Sequence, residues 1–157
     1  MTVIIELLDE SDSFWTPNLV DFENWIKMTL EEFKLASTVT VSIRLVNYKE
    51  ASQLNSQYRN RDYATNVLSF PAKLPEEIIA NLDSNPLGDI VICPEIVQRE
   101  ADEQKKSITA HWAHLLVHSA LHLKGFQHEG TKDALIMEDQ EIKVLEKLGF
   151  PNPYLVV

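Results

Sequence analysis

Hydrophobic and polar positions change period several times along the chain, and each change marks an element. Residues 2–8 are β-branched and apolar and predict a first strand, followed by an acidic, serine-containing loop through Thr16. Pro17 then opens a helix over residues 18–33, where Leu19, Val20, Phe22, Trp25, Ile26, Leu30 and Phe33 recur at helical spacing with Asp21, Glu23, Glu31 and Glu32 outside. Over residues 39–46 the period drops to two, with Val39, Val41, Ile43 and Leu45 alternating against Thr40, Ser42 and Arg44, which predicts a half-buried strand. Residues 48–62, YKEASQLNSQYRNRD, predict a short helix with Leu54 and Tyr58 inward, leading through a turn to the strand NVLSFPA.

Residues 73–86 show no strong pattern and predict a connecting loop with room for one helical turn. A short apolar strand over residues 87–93 is announced by Gly88, and Pro94 suits the first turn of a helix over 94–104, with Lys105 and Lys106 at its C-terminal end. Ser107 is placed to cap a long histidine-bearing helix. A last amphipathic helix covers 131–149, with Leu135, Ile136, Ile142, Leu145 and Leu148 inward, its acids on a solvated face and Gly149 at its end. Strands and helices intermix without a repeat or linker. The expected architecture is therefore α+β, a single domain of residues 1–157 with roughly four strands in a mixed sheet, about five helices packed on it and the histidine helix central.

Composition narrows the function. At 157 residues the chain can bury a full core without staples. Its single cysteine, Cys93, excludes an internal disulfide and reads as a small buried hydrophobe in the run DIVIC. The N-terminus has no basic region and only a short apolar run, so the expectation is a soluble, cytoplasmic protein with no membrane partner. Lys and Arg number 14 against 24 Asp and Glu, a formal net charge of -10, which argues against binding nucleic acid by overall attraction. A local site is not excluded by a global charge: a divalent metal on neutral imidazoles keeps its full positive charge and can make one cleft attractive to phosphate.

All five histidines lie in residues 111–130, HWAHLLVHSALHLKGFQHEG. His118 and His122 are four apart, so on a helix their imidazoles sit one turn apart on one face. His128 lies beyond the reach of that face, but Gly125 can take the positive φ that ends the helix and turns the chain back toward the same point. Three imidazoles suit zinc, one ion per chain, and leave a fourth position open, as catalytic zinc sites do. His114 and His118 would make an equal helical pair, and only the turn after His122 separates the two choices. His114 is then expected to orient a ligand or pack in the core with Trp112.

The spacing H-x3-H-x5-H, with a glycine three residues after the second histidine, resembles the zinc helix of the metzincin peptidases. The residue that departs decides the chemistry. Ser119 stands where those peptidases carry the glutamate general base, and it cannot take a proton from water near neutral pH. No Met-turn is evident, since Met137 falls in a helix.

Three blocks together, LNSQYRNRDYATNVLSFP, LGDIVICPE and AHWAHLLVHSALHLKGFQH, resemble the signature blocks of the YbeY family, bacterial endoribonucleases also called rRNA maturation factors. They fall in the family's order, and the resemblance spans nearly the whole chain. It implies a metal-dependent, single-strand-specific endoribonuclease acting in ribosomal RNA processing, particularly at the small-subunit 3′ end, and in ribosome quality control. It implies zinc at His118, His122 and His128, a catalytic Arg59 lining the cleft and a substrate-binding Arg61 close by. Single-stranded and ribosomal RNA, with the ribosome or its proteins, are the implied partners; DNA is not. Two departures stand out: Asp62, Tyr63, Ala64 and Thr65 occupy the family's frequent D-K-P-T, which removes a lysine, and Gln127 replaces the aspartate before the third histidine. The acid-rich run after that histidine is also thin, with Glu129 and Asp133 nearby.

In this reading the ion polarises a phosphodiester and Arg59 offers planar donors to the charge that builds at phosphorus. No strong general base is evident. Attack by the RNA 2′-hydroxyl is an alternative to attack by water and would leave a cyclic phosphate. The rival functions are a zinc metallopeptidase and a non-catalytic ribosome-associated factor with a structural zinc.

Overall fold

The computed structural model describes residues 1–12, 14–33, 35, 37–59 and 65–155, with the side chain of Arg59 outside that description. In chain order the elements are β1 (Thr2–Asp9), α1 (Leu19–Leu30), β2 (Thr38–Leu45), α2 (Tyr48–Arg59), β3 (Val67–Pro71), α3 (Glu76–Ile79), β4 (Asn85–Ile92), α4 (Pro94–Gln104), α5 (Ile108–Lys124) and α6 (Thr131–Lys147). The α+β class and the four-stranded mixed sheet agree with the sequence expectation. The sixth helix is the four-residue α3, in the segment with room for one turn.

The sheet order is β1-β2-β4-β3. β1 and β4 both run parallel to β2, whereas β3 is antiparallel to β4 and forms an edge. The strict alternation in β2 is why it can sit inside the sheet: Val39, Val41, Ile43 and Leu45 are all buried on one face. That face carries the main core, where Phe22, Trp25, Ile26 and Leu30 of α1 meet Trp112, Leu116 and Leu121 of α5. Trp112 is wholly buried, its ring 5.8 Å from that of Phe22. A smaller cluster of Val46, Ala51, Cys93 and Ile96 forms around α2 and α4. Cys93 is buried there, as expected, and burial pushes its thiol up from the usual value.

The histidine helix is central, touching α1, α4, α6, β3 and β4. Its start is capped by Ser107, whose hydroxyl accepts from the Ala110 N–H at 3.3 Å. Its end is set by Gly125 at φ 116°, with the Gly125 and Phe126 N–H groups closing onto the carbonyls of His122 and Leu121.

Two expected faces are corrected. In α1, Leu19 and Val20 are exposed, because Asn18 rather than Pro17 caps the helix and the inward stripe begins at Phe22. In α6, Leu135 and Ile136 are exposed and the inward residues are Met137, Glu141, Val144 and Leu145. The acids of α6 are accordingly not all on a solvated face. Glu141 is 1% exposed. A stripe drawn through apolar residues alone was rotated by the one acid that belongs to the buried face.

Candidate metal centre

From His111 to Lys124, α5 is buried at every position except His114, His118, His122 and Lys124. A helix walled in by a sheet edge and three other helices thus opens along a stripe of one residue per turn that is filled by His114, His118 and His122, while Lys124 lies off that stripe as the last residue of the helix. His111, which shares the sequence spacing, does not share the opening: it is 5% exposed, with Nε2 3.0 Å from Glu100 Oε1.

The structure brings His118, His122 and His128 together. One nitrogen from each ring lies within 4.8 Å of the others, and among the described residues no fourth His, Cys, Asp or Glu joins them. The Nε2 atoms of His118 and His122 are 3.0 Å apart. Two ligands at zinc–imidazole bond lengths on tetrahedral directions would be about 3.3 Å apart, so this separation is close to that of a pair sharing one ion. The opposite ring nitrogens are also accounted for. His122 Nδ1 lies 2.9 Å from the Phe126 carbonyl, and His118 Nδ1 lies 3.4 Å from Glu141 Oε2. With Nδ1–H donating outward, the Nε2 lone pairs are left to converge. Burial first, and then the His118 and His128 rings, hold the His122 imidazole down at about 4, so it is neutral near pH 7, the form that ligates metal. The donor set fits a divalent ion with an open position.

The centre lies in a cleft of about 470 Å³. Residues 65–70, around edge strand β3, form one wall; His118, His122, Gln127, His128 and Glu129 form the other. Tyr58 stands at the end of α2 and packs edge-on against Phe70, ring centroids 5.1 Å apart. Among the described residues the lining contains no Lys or Arg. Arg59 follows Tyr58 directly as the last residue of α2, and its side chain lies outside the described residues, as does Arg61 entirely. Asp62, Tyr63 and Ala64 also lie outside them, while Thr65 and Gln127 both line the cleft.

Ser119 is fully buried. The position that carries the glutamate in metzincin helices therefore faces the core, where it offers the cleft no base.

Behind His118 sits a group of three: His114, expected to orient a ligand or pack in the core; Glu141, one of the α6 acids expected on a solvated face; and Tyr154, for which no role was expected. His114 Nε2 lies 2.5 Å from Glu141 Oε1, and the Tyr154 hydroxyl donates to the same carboxylate at 2.9 Å. His114 is thus near the centre but is not one of the three converging rings. Burial alone would raise the Glu141 carboxyl, yet the hydrogen bonds from His114 and His118 outweigh it and hold the group at about 2. Tyr154 responds in the opposite sense, pushed up by burial and by the Glu141 charge. The available signal for Glu141 was its place four residues after Met137 and three before Val144, on the helical face that the core requires.

A mixed sheet, a buried helix opening only through histidines and a three-imidazole group in a cleft define an α+β protein built around a site that can hold a metal ion. The chain belongs to the YbeY family: the family model described as Endoribonuclease YbeY matches residues 11–149. It is 48% identical over 141 residues to the Endoribonuclease YbeY of Colwellia psychrerythraea, covering 88% of each chain. It is 48% identical over 139 residues to that of Xylella fastidiosa strain 9a5c, covering 88% of this chain and 85% of the relative. The solution structure of TM1509 from Thermotoga maritima superposes with a TM-score of 0.54 at 26% identity, covering 93% of this chain and 92% of that one. Among the described residues no helix is long and apolar enough to cross a membrane.

Proposed function

We propose that this chain is a zinc-dependent endoribonuclease that cuts single-stranded RNA during ribosomal RNA processing, at the small-subunit 3′ end and in ribosome quality control. It works in the cytoplasm, docked on the ribosome or its proteins. The observation that carries the reading is the convergence of His118, His122 and His128 in an open cleft, in a chain whose relatives are named as endoribonucleases. Three imidazole nitrogen donors without a thiolate or carboxylate favour zinc over magnesium or calcium, which prefer oxygen.

When bound, the ion supplies Lewis acidity at the scissile phosphate. The protein's part is to place RNA against it. Arg59, beside cleft-lining Tyr58, is assigned to the phosphate, where its planar fork meets the oxygens that gain charge in the transition state. Arg61 is assigned to RNA binding. With a net charge of -10 the surface does not draw RNA from a distance, so delivery falls to a docking partner and local attraction to the metal and these two arginines.

A peptidase reading has one observation in its favour: edge strand β3 lines the cleft, an arrangement that can accept an extended peptide. The burial of Ser119 weighs against it.

The test is elemental analysis of the purified protein and of His122→Ala, followed by incubation of both with a single-stranded RNA and with a peptide library. Near-stoichiometric zinc with RNA cleavage, both lost in the variant, supports the proposal. Peptide hydrolysis without RNA cleavage, or zinc without either activity, overturns it. Analysis of the ends then separates a cyclic phosphate left by the 2′-hydroxyl from the 3′-hydroxyl and 5′-phosphate left by water.

A further inference from the structure

Glu141 is a carboxylate in the core of α6, 1% exposed. An acid at such a depth is destabilising unless its oxygens are matched by donors, and an apolar residue of similar size would serve packing as well. Here donors come from two separate parts of the chain. His114 Nε2 lies 2.5 Å from Oε1; the Tyr154 hydroxyl reaches Oε1 at 2.9 Å and Oε2 at 3.1 Å; His118 Nδ1 lies 3.4 Å from Oε2. The longest of the four contacts is the one that reaches the metal centre.

Tyr154 is brought there by a strap that follows the last helix. Gly149, at φ 90°, ends α6; the Phe150 ring packs 6.2 Å from Trp25; Lys106 Nζ donates to the Pro153 carbonyl at 3.0 Å. The Tyr154 N–H then donates to Asn152 Oδ1 at 2.8 Å, turning the side chain inward. The Tyr154 residue is 42% exposed, so its ring does little for the core, while its hydroxyl is spent on Glu141.

The two helical histidines of the centre are therefore anchored unequally. His122 donates to a backbone carbonyl in its own turn, whereas His118 faces a carboxylate that is also held by His114 and Tyr154, neither of which lines the metal cleft. We propose that Glu141, clamped by His114 and by Tyr154 from the C-terminal strap, positions His118 for the metal ion by accepting its Nδ1–H. A carboxylate behind an imidazole fixes the ring's tautomer and orientation and makes Nε2 a stronger donor to a cation. The strap is thereby part of the metal centre though none of it lines the metal cleft. This inference rests on the assignment of His118 as a metal ligand.

The test measures zinc affinity by competition with a chromogenic chelator, the visible spectrum of the cobalt(II)-substituted protein, and the thermal midpoint of the metal-free protein. These are read for the wild type, Glu141→Gln, Glu141→Leu and Tyr154→Phe. An amide has one acceptor oxygen for three donors and leucine has none, so affinity is expected to fall roughly 10–100-fold in Glu141→Gln and further in Glu141→Leu. Tyr154→Phe is expected to lose up to about tenfold, with an altered cobalt spectrum and a metal-free midpoint close to wild type. Because Tyr154→Phe removes one hydroxyl from a half-exposed ring, it decides the matter even if the Glu141 variants do not fold. Wild-type zinc affinity and spectrum in Tyr154→Phe overturn the proposal, as does a lowered midpoint with unchanged affinity in the Glu141 variants. A wild type that binds no zinc overturns the metal assignment itself.

Discussion

His122 Nδ1 lies 2.9 Å from the carbonyl oxygen of Phe126, four residues along the chain. The turn that ends α5 at Gly125 thus brings a backbone acceptor behind one imidazole while it redirects the chain toward His128. One local event, a helix stop, orients the second histidine and delivers the third. His122→Ala removes the residue on which both converge, and its metal content is expected to fall from near one equivalent to a trace while the far-ultraviolet circular dichroism is unchanged. Retention of stoichiometric metal would show that the ion is held elsewhere.

The metal-free protein should lose stability in mild acid. The His122 imidazole titrates at about 4 when folded against an ordinary 6.5, so below 6.5 the unfolded chain takes up a proton that the folded one resists. Stability from this group is fully present above pH 6.5, declines as pH falls and is gone below about 4. Allowing for screening at a partly open site, the loss is on the order of 1–2 kcal/mol. Denaturant midpoints of the metal-free protein between pH 7 and pH 4 measure it, and His122→Ala should flatten the slope.

Gly88 holds β4 against the cleft wall. Its φ is 143°, and a Cβ built there would stand 2.2 Å from the Phe70 carbonyl oxygen and 2.9 Å from Leu123 Cδ2. Backbone cannot yield by that amount, so Gly88→Ala combines a strained dihedral with overpacking and is expected to cost about 3 kcal/mol or more. For a chain of this size that lowers the thermal midpoint by on the order of 10 °C, read by calorimetry.

For Arg59, the proposed role separates metal binding from turnover. Arg59→Ala is expected to keep its zinc and its fold but lose cleavage of single-stranded RNA on the order of 100-fold or more. Arg59→Lys should recover little, because a point charge does not reproduce a planar fork of donors. Unchanged cleavage in Arg59→Ala would remove it from the mechanism.

Ser119→Glu tests why the peptidase resemblance stops where it does. Ser119 is fully buried, so the added carboxylate would enter the core rather than the cleft. The variant is expected to lose several kcal/mol of stability and gain no peptide hydrolysis. A stable variant with zinc-dependent peptidase activity would contradict this.

The parts of the protein legible in the chain are those governed by local periodicity and covalent spacing. Alternation at Val39, Val41, Ile43 and Leu45 specifies a strand with one buried face whatever packs on it, and His118, His122, Gly125 and His128 specify a helical pair, a stop and a return within eleven residues. Interactions of that range depend on backbone geometry alone. The placement of Glu141 and Tyr154 is of another kind. Their contacts with His114 span 27 and 40 residues, and those contacts exist only because α6 and the strap fold back across α5. In sequence, Glu141 is one acid among several on an amphipathic helix; its spacing to Met137 and Val144 puts it on the core face, but nothing local supplies the donors that a buried carboxylate needs. The rotation of the α6 stripe, the burial of Ser119 and the closure of His111 onto Glu100 were likewise decided by which helix faces meet. The sequence by itself determined which three imidazoles can converge; only the tertiary structure decided what stands behind them, because outer hydrogen bonds to a site come from residues remote in the chain and near in space.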